Sequence, residues 1–151
     1  MKQKKDGLTL LLIALMSIMA IIALFVLFGD AFDDASRGSV FYAMFGSASK
    51  NRAAVPGLIV GFALLIAAIV LPLTSPLFDN KGKTFVFLLE ALLLAVAGVL
   101  YLFTTKFYVA ANSISYGYNM TLGAGSICAT TFSFIGVAFA LLGALRMKKA
   151  Q

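Results

Sequence analysis

Leu8–Phe28 reads LTLLLIALMSIMAIIALFVLF, twenty-one residues with no charge and only two hydroxyls, Thr9 and Ser17. The hydrocarbon core of a bilayer is crossed by about 20 apolar residues in a helix. Lipid offers no hydrogen-bond partner to a bare peptide group, so such a run must be helical. Lys2, Lys4 and Lys5 precede it, as in the charged start of a secretory signal. The apolar run is longer than the roughly 7–15 residues of a signal core. Phe28-Gly29-Asp30-Ala31 gives no small-x-small cleavage pattern. The stretch therefore reads as a retained first transmembrane helix.

Three further runs follow, Gly57–Thr74, Thr84–Thr104 and roughly Ala124–Leu145. Pro56 opens the second, where a missing N–H is harmless. Pro72 and Pro76 sit near its far end and read as a stop or terminal kink. Over all 151 residues, 62% are hydrophobic and 12% charged, with a mean hydropathy of +1.01. Soluble domains carry about 25% charged residues. The composition excludes an ordinary soluble enzyme, a disordered chain and a disulfide-stapled secreted domain. Cys128 is the only cysteine, so no internal disulfide forms, and it reads as a small buried hydrophobe. The expected fold is all-α: one integral membrane domain over 1–151, a four-helix transmembrane bundle.

The formal charge of +6 is concentrated at the chain ends. Lys2, Lys4 and Lys5, then Lys81 and Lys83, then Arg146, Lys148 and Lys149 all fall on one side of a four-span protein. Lys and Arg gather on the cytoplasmic side, so both termini are expected inside, with Gly29–Val55 and the shorter Thr105–Gly123 outside. Basic residues beside apolar runs meet lipid headgroups; nucleic-acid binding is not expected. The expected location is the cell membrane, multi-pass.

In the first outer loop, Asp30, Asp33 and Asp34 share the spacing of one helical face and form a weak candidate for a hard cation. A solvated loop balanced by Arg37 explains them as well, and no metal or cofactor is expected. Phe41, Tyr42 and Phe45 form an apolar patch that suits a short interfacial helix or a cap on the bundle. Tyr108, Tyr116 and Tyr118 in the second loop read as an interfacial belt or an outward contact surface. Asn119-Met120-Thr121 matches a glycosylation acceptor. A shift of about 75 residues lays span one on span three and span two on span four, pairing Thr9 with Thr84 and Gly61 with Gly136. Such a match suggests a parallel internal repeat.

Glu90 lies about 10 Å into the third span, where a carboxylate marks a functional hypothesis. Tyr101, eleven residues on, shares its helix face, so the pair forms an ion- or proton-site candidate. The plain alternative is a Glu near the inner interface that reaches Lys81, Lys83 or an N-terminal lysine, or simply stays protonated. Small residues mark helix-packing faces: Gly57 and Gly61 in span two, Ala91, Ala95 and Gly98 in span three, and Ser133, Gly136, Ala140 and Gly143 in span four. No nucleophile–base pair or phosphate loop is present, so the chain reads as non-enzymatic. The leading expectation is an accessory subunit of a membrane complex or a homo-oligomeric scaffold, with lipid, other subunits or copies of itself as partners. The alternative is a small oligomeric channel or transporter in which Glu90 responds to an ion or proton.

Overall fold

The computed structural model describes residues 2–33, 38–113 and 120–149, with side chains from Gly7 onward. Among these, four helical segments are long and apolar enough to cross a membrane: Gly7–Phe28, Pro56–Leu77, Asn80–Leu102 and Ala124–Lys149. They fit a multi-pass membrane protein built as an all-helical bundle.

Local chemistry sets the ends. Helix α1 (Lys2–Phe25) tightens into a 3₁₀ turn, Val26–Phe28, and stops at Gly29. The short α2 (Val40–Phe45) starts where Ser39 Oγ accepts the Tyr42 N–H at 3.1 Å. Helix α3 (Pro56–Val70) has proline in its first turn and passes into a 3₁₀ segment, Leu71–Leu77. Pro72 and Pro76 supply no N–H there, which removes α-helical hydrogen bonds and favours the tighter turn. The second span therefore reaches Leu77 rather than Thr74.

Helix α4 (Asn80–Leu102) begins four residues before the expected Thr84, because Asp79 Oδ1 accepts the Gly82 N–H at 2.8 Å. It breaks at Phe103, and Thr104 Oγ1 donates to Tyr101 O at 2.6 Å. A separate α5 (Thr104–Ala111) follows. Helix α6 (Ala124–Lys149) runs past the expected Leu145 and ends in Arg146, Lys148 and Lys149, where cations suit the helix dipole. Long helix, short helix, long helix thus occurs twice along the chain.

Glycine contacts fix the helix directions. A Cβ on Gly143 would lie 2.8 Å from Phe87, one on Gly136 2.7 Å from Leu94, and one on Gly98 3.2 Å from Ser133. Helices α4 and α6 are therefore antiparallel and very close. Gly61 against Tyr101 of α4, and Gly57 against Phe107 of the following α5, show that α3 runs antiparallel to that stretch of chain. Gly125 against Gly29 and Gly136 against Met19 give the antiparallel relation for α1 and α6. The four spans form a square in which α1 and α4 lie across one diagonal and α3 and α6 across the other. The start of α1 and the end of α6 sit at one end of the bundle (the terminal end) and the longer connections at the other (the loop end).

The loop end is covered. Val40 N donates to Gly29 O at 3.0 Å and Ala31 N to Gly38 O at 3.1 Å. The same segment is tied to the start of α6, with Gly123 N on Ala31 O at 3.0 Å, Gly125 N on Asp30 O at 2.8 Å and Ser126 Oγ on Ala31 O at 2.9 Å. Gly46, at φ +71°, turns the chain beneath Arg52, and Val55 N returns to Met44 O at 2.9 Å. Ala53 N donates to Asn112 Oδ1 at 2.8 Å, joining the two loops. Val40, Met44, Val55 and Phe32 are buried with Leu58 and Tyr101 in a core that continues down the spans. A second cluster at the terminal end holds Ile13, Met16, Phe87, Ala91, Ala140, Ala144 and Met147.

The close backbone contact between α6 and the end of the first span gives a stability test. A Cβ on Gly125 would stand 2.5 Å from Gly29 O, an atom that cannot move without disturbing the cap. Gly125→Ala is expected to destabilise the protein by about 1–3 kcal/mol through overpacking. Gly7→Ala, with nothing within 4 Å of the new methyl, should be neutral or stabilising by up to about 1 kcal/mol. Unfolding curves of the two variants in the same detergent check this.

Candidate functional site

Two regions stand out from the packed bundle: a polar group in its interior and an aromatic ledge at the loop end. Glu90 is 0% exposed, and neither of its carboxylate oxygens has a hydrogen-bond partner. It sits on the face of α4 that also presents Val86, Ala97 and Tyr101, all buried. The neighbouring face, with Phe87, Leu94 and Gly98, meets α6. Neither Lys81 nor Lys83 is hydrogen-bonded to Glu90 among the described residues, and the side chains of Lys2, Lys4 and Lys5, the other lysines expected to reach it, lie outside the described part.

Tyr101 is also fully buried, and its hydroxyl has no partner. Its ring tip lies on the bare backbone of Gly61, 3.1 Å from where a Cβ would be. Eleven residues of helix separate it from Glu90 by about 16 Å. Leu94 and Ala97, both fully buried, lie between. The two residues share a face but do not form one contact site.

Two residues not singled out from the sequence join this set. Ser17 of α1 and Ser75 of the Leu71–Leu77 segment are buried, and their hydroxyls also lack partners. Their signal in the sequence is slight: Ser17 is one hydroxyl in a long apolar run, and Ser75 stands beside Pro76 in a stretch that reads as a helix stop.

The small residues are occupied inside the chain. Gly57 receives Phe107, Gly61 receives Tyr101, Gly98 meets Ser133, Gly136 receives Leu94 and Gly143 receives Phe87. Ala91 and Ala140 belong to the cluster at the terminal end, and Ala95 is partly buried. These faces pack against neighbouring helices within the chain.

At the loop end, Phe41 stacks on Phe28 at 4.9 Å and meets Phe45 edge-on at 5.0 Å. Phe62 of α3 lies beneath, 6.0 Å from Phe41 and 6.3 Å from Phe45. Tyr42 and Phe45 remain 38% and 50% exposed, and Lys50 Nζ sits 5.6 Å above the Tyr42 ring. Tyr108 differs from expectation: it is buried against Phe32 at 4.7 Å and is no outward contact. Tyr116, Tyr118 and Asn119 lie outside the described residues.

Asp30 and Asp33 do not lie on a helix. Asp30 is in an extended bridge with Ser39, Asp33 N donates to Thr121 O at 3.2 Å, and Asp34 lies outside the described residues. Among the described residues, no group of three or more His, Cys, Asp or Glu converges. Comparison with protein-family models, with curated proteins and with solved structures gives no match.

An unpartnered hydroxyl can be probed by removing it. Tyr101→Phe keeps the ring on Gly61 and deletes the orphan oxygen, so stability should stay within about 1 kcal/mol or rise. Tyr101→Ala should cost about 3–5 kcal/mol through the cavity it leaves. Thermal unfolding of both variants in lipid-containing micelles checks the pair.

Proposed function

We propose that this chain is a non-enzymatic accessory or assembly subunit of the cell membrane, with both termini cytoplasmic, that binds another membrane protein or its own copies. The observation that carries this reading is the aromatic ledge. A connecting loop needs no internal architecture, yet this one is capped by Ser39, closed by the Ser47–Arg52 backbone pair and tied to α3 and α6. The result is a preordered surface that presents Phe28, Tyr42 and Phe45 beside Lys50. Rigid aromatic side chains lose little entropy on binding and dominate many protein interfaces. The small-residue faces are occupied within the bundle, so the ledge is the contact surface in this reading.

Native mass spectrometry after gentle extraction at native expression level tests it. A mass containing a second polypeptide, or a multiple of 16.0 kDa, is expected. Tyr42→Ala with Phe45→Ala should dissociate that assembly, since buried aromatic anchors contribute about 2 kcal/mol or more each. A lone species at 16.0 kDa sinks the reading.

The burial of Glu90 favours a second reading, a small oligomeric channel or transporter in which that carboxyl responds to the moving ion. Ion flux in proteoliposomes separates the two. Flux that Glu90→Gln abolishes supports transport, and absent or unchanged flux removes Glu90 from any such role.

A further inference from the structure

The buried oxygens of the bundle fall into two sets. On α6, every described hydroxyl has an acceptor: Ser126 on Ala31 O, Thr130 on Ser126 O, Thr131 on Ile127 O and Ser133 on Ala129 O. Across the interior, Ser17 Oγ on α1, Ser75 Oγ at the end of the second span and both Glu90 oxygens on α4 have none among the described residues, and neither does Tyr101 Oη, which lies about 16 Å farther toward the loop end than Glu90. Native interiors leave few such atoms unpaired, and those that occur commonly hold water or a ligand.

Ser75, Ser17 and Glu90 belong to the terminal half of the bundle. Ser75 stands three residues before Phe78, where the chain leaves the second span. Glu90 is about 15 Å up α4 from Asn80 at 1.5 Å per residue. Met16 packs in one cluster with Phe87 and Ala91, which places the adjacent Ser17 near the depth of Glu90. The Leu71–Leu77 segment contacts both α1 and α4. Toward the loop end, buried Leu58, Leu65, Leu94 and Ala97 separate this group from the cap.

Among the described side chains, none supplies a countercharge at that depth. Gly7–Phe28 and Pro56–Leu77 contain no ionisable side chain. On α6 the groups are Cys128, in the turn after the loop end, and Arg146, Lys148 and Lys149 in the last turn. On α4, Lys81 and Lys83 lie in the first turn with Asp79 at its cap. An unpaired buried carboxylate is penalised by several kcal/mol, so neutrality must come from something bound to it.

We propose that Glu90 is a proton-binding site served by internal water held on Ser75 and Ser17, and that its proton exchanges with the aqueous phase at the terminal end of the bundle. This goes beyond the assembly reading and does not depend on it. A loaded site leaves a neutral carboxylic acid in the apolar interior. Exchange passes the proton from the carboxyl O–H to a water oxygen and returns another from the same chain of water.

Glu90 is the only glutamate in the sequence, so the test needs no substitution. The full chain is made by cell-free synthesis with glutamate carrying ¹³C at the side-chain carboxyl, reconstituted into phosphatidylcholine vesicles, and followed by infrared difference spectroscopy. The expected result is an isotope-shifted carboxylic-acid C=O band that moves to lower frequency when H₂O is replaced by D₂O. Ser75→Ala should slow that shift by about tenfold, as loss of one relay group raises the barrier. Carboxylate bands in place of the acid band would show an ionised group holding some other cation and overturn the proposal. An acid band unchanged after hours in D₂O would mark a sealed structural group and overturn it too. Exchange as fast in Ser75→Ala as in the parent would remove the route through Ser75. The labelled parent chain decides the first two outcomes even if the variant fails to fold.

Discussion

Close approach of α6 to its two neighbours is the contact on which the rest of the bundle depends. Helices in lipid gain no hydrophobic drive from pairing, so association rests on packing and on polar contacts between helices. Gly125, Gly136 and Gly143 bring the α6 backbone within reach of Gly29, Leu94 and Phe87. Ala129, Ser133 and Ala140, all fully buried, continue the same contact between them. Large side chains from α1 and α4 then fill the space that α6 leaves open. A bulkier α6 would push both neighbours outward and pull the cap away from the helix start to which it is bonded.

The cap follows from that contact. Asp30 O and Ala31 O meet the first turn of α6 because Gly125 leaves no side chain in the way. Those bonds satisfy helix-start N–H groups that would otherwise lack partners. With α1 held there, α2 has a fixed base, and its aromatic residues reach back to Phe62 on α3. Closure at one end leaves the terminal end as the route from water to the interior, which is where Ser75 stands.

The four spans were legible because lipid leaves a long apolar run no structure but helix, and the runs are separated by charged or proline-bearing breaks. Their ends were read less well. Asp79 as a cap and the break at Phe103 are single-residue effects that an apolar window averages away. Glu90 was conspicuous as a lone carboxyl in span three. Ser17 and Ser75 were not, since a serine in a membrane helix ordinarily bonds to its own backbone, as Ser133 does. Tyr108 misled because an aromatic residue after a span fits an interfacial belt. Only the fold of the first loop, which brings Phe32 over it, buries that ring.

The contrast between the two sides of the bundle has one physical origin. On the α6 side, an unbroken helix lets each hydroxyl bond to a carbonyl of the preceding turn or of a neighbour, and glycines draw the helices together. On the α3 side, Pro72 and Pro76 tighten the helix end into 3₁₀ geometry, which changes the angle at which each side chain leaves the backbone. Thr74 still reaches Leu71 O at 2.7 Å, whereas Ser75, one residue later, points inward without an acceptor. The prolines thus do two things at once: they end the second span, and they turn a hydroxyl toward the part of the interior that contains Glu90. A polar interior on one side and a closely packed seam on the other are therefore consequences of where the sequence places proline and where it places glycine.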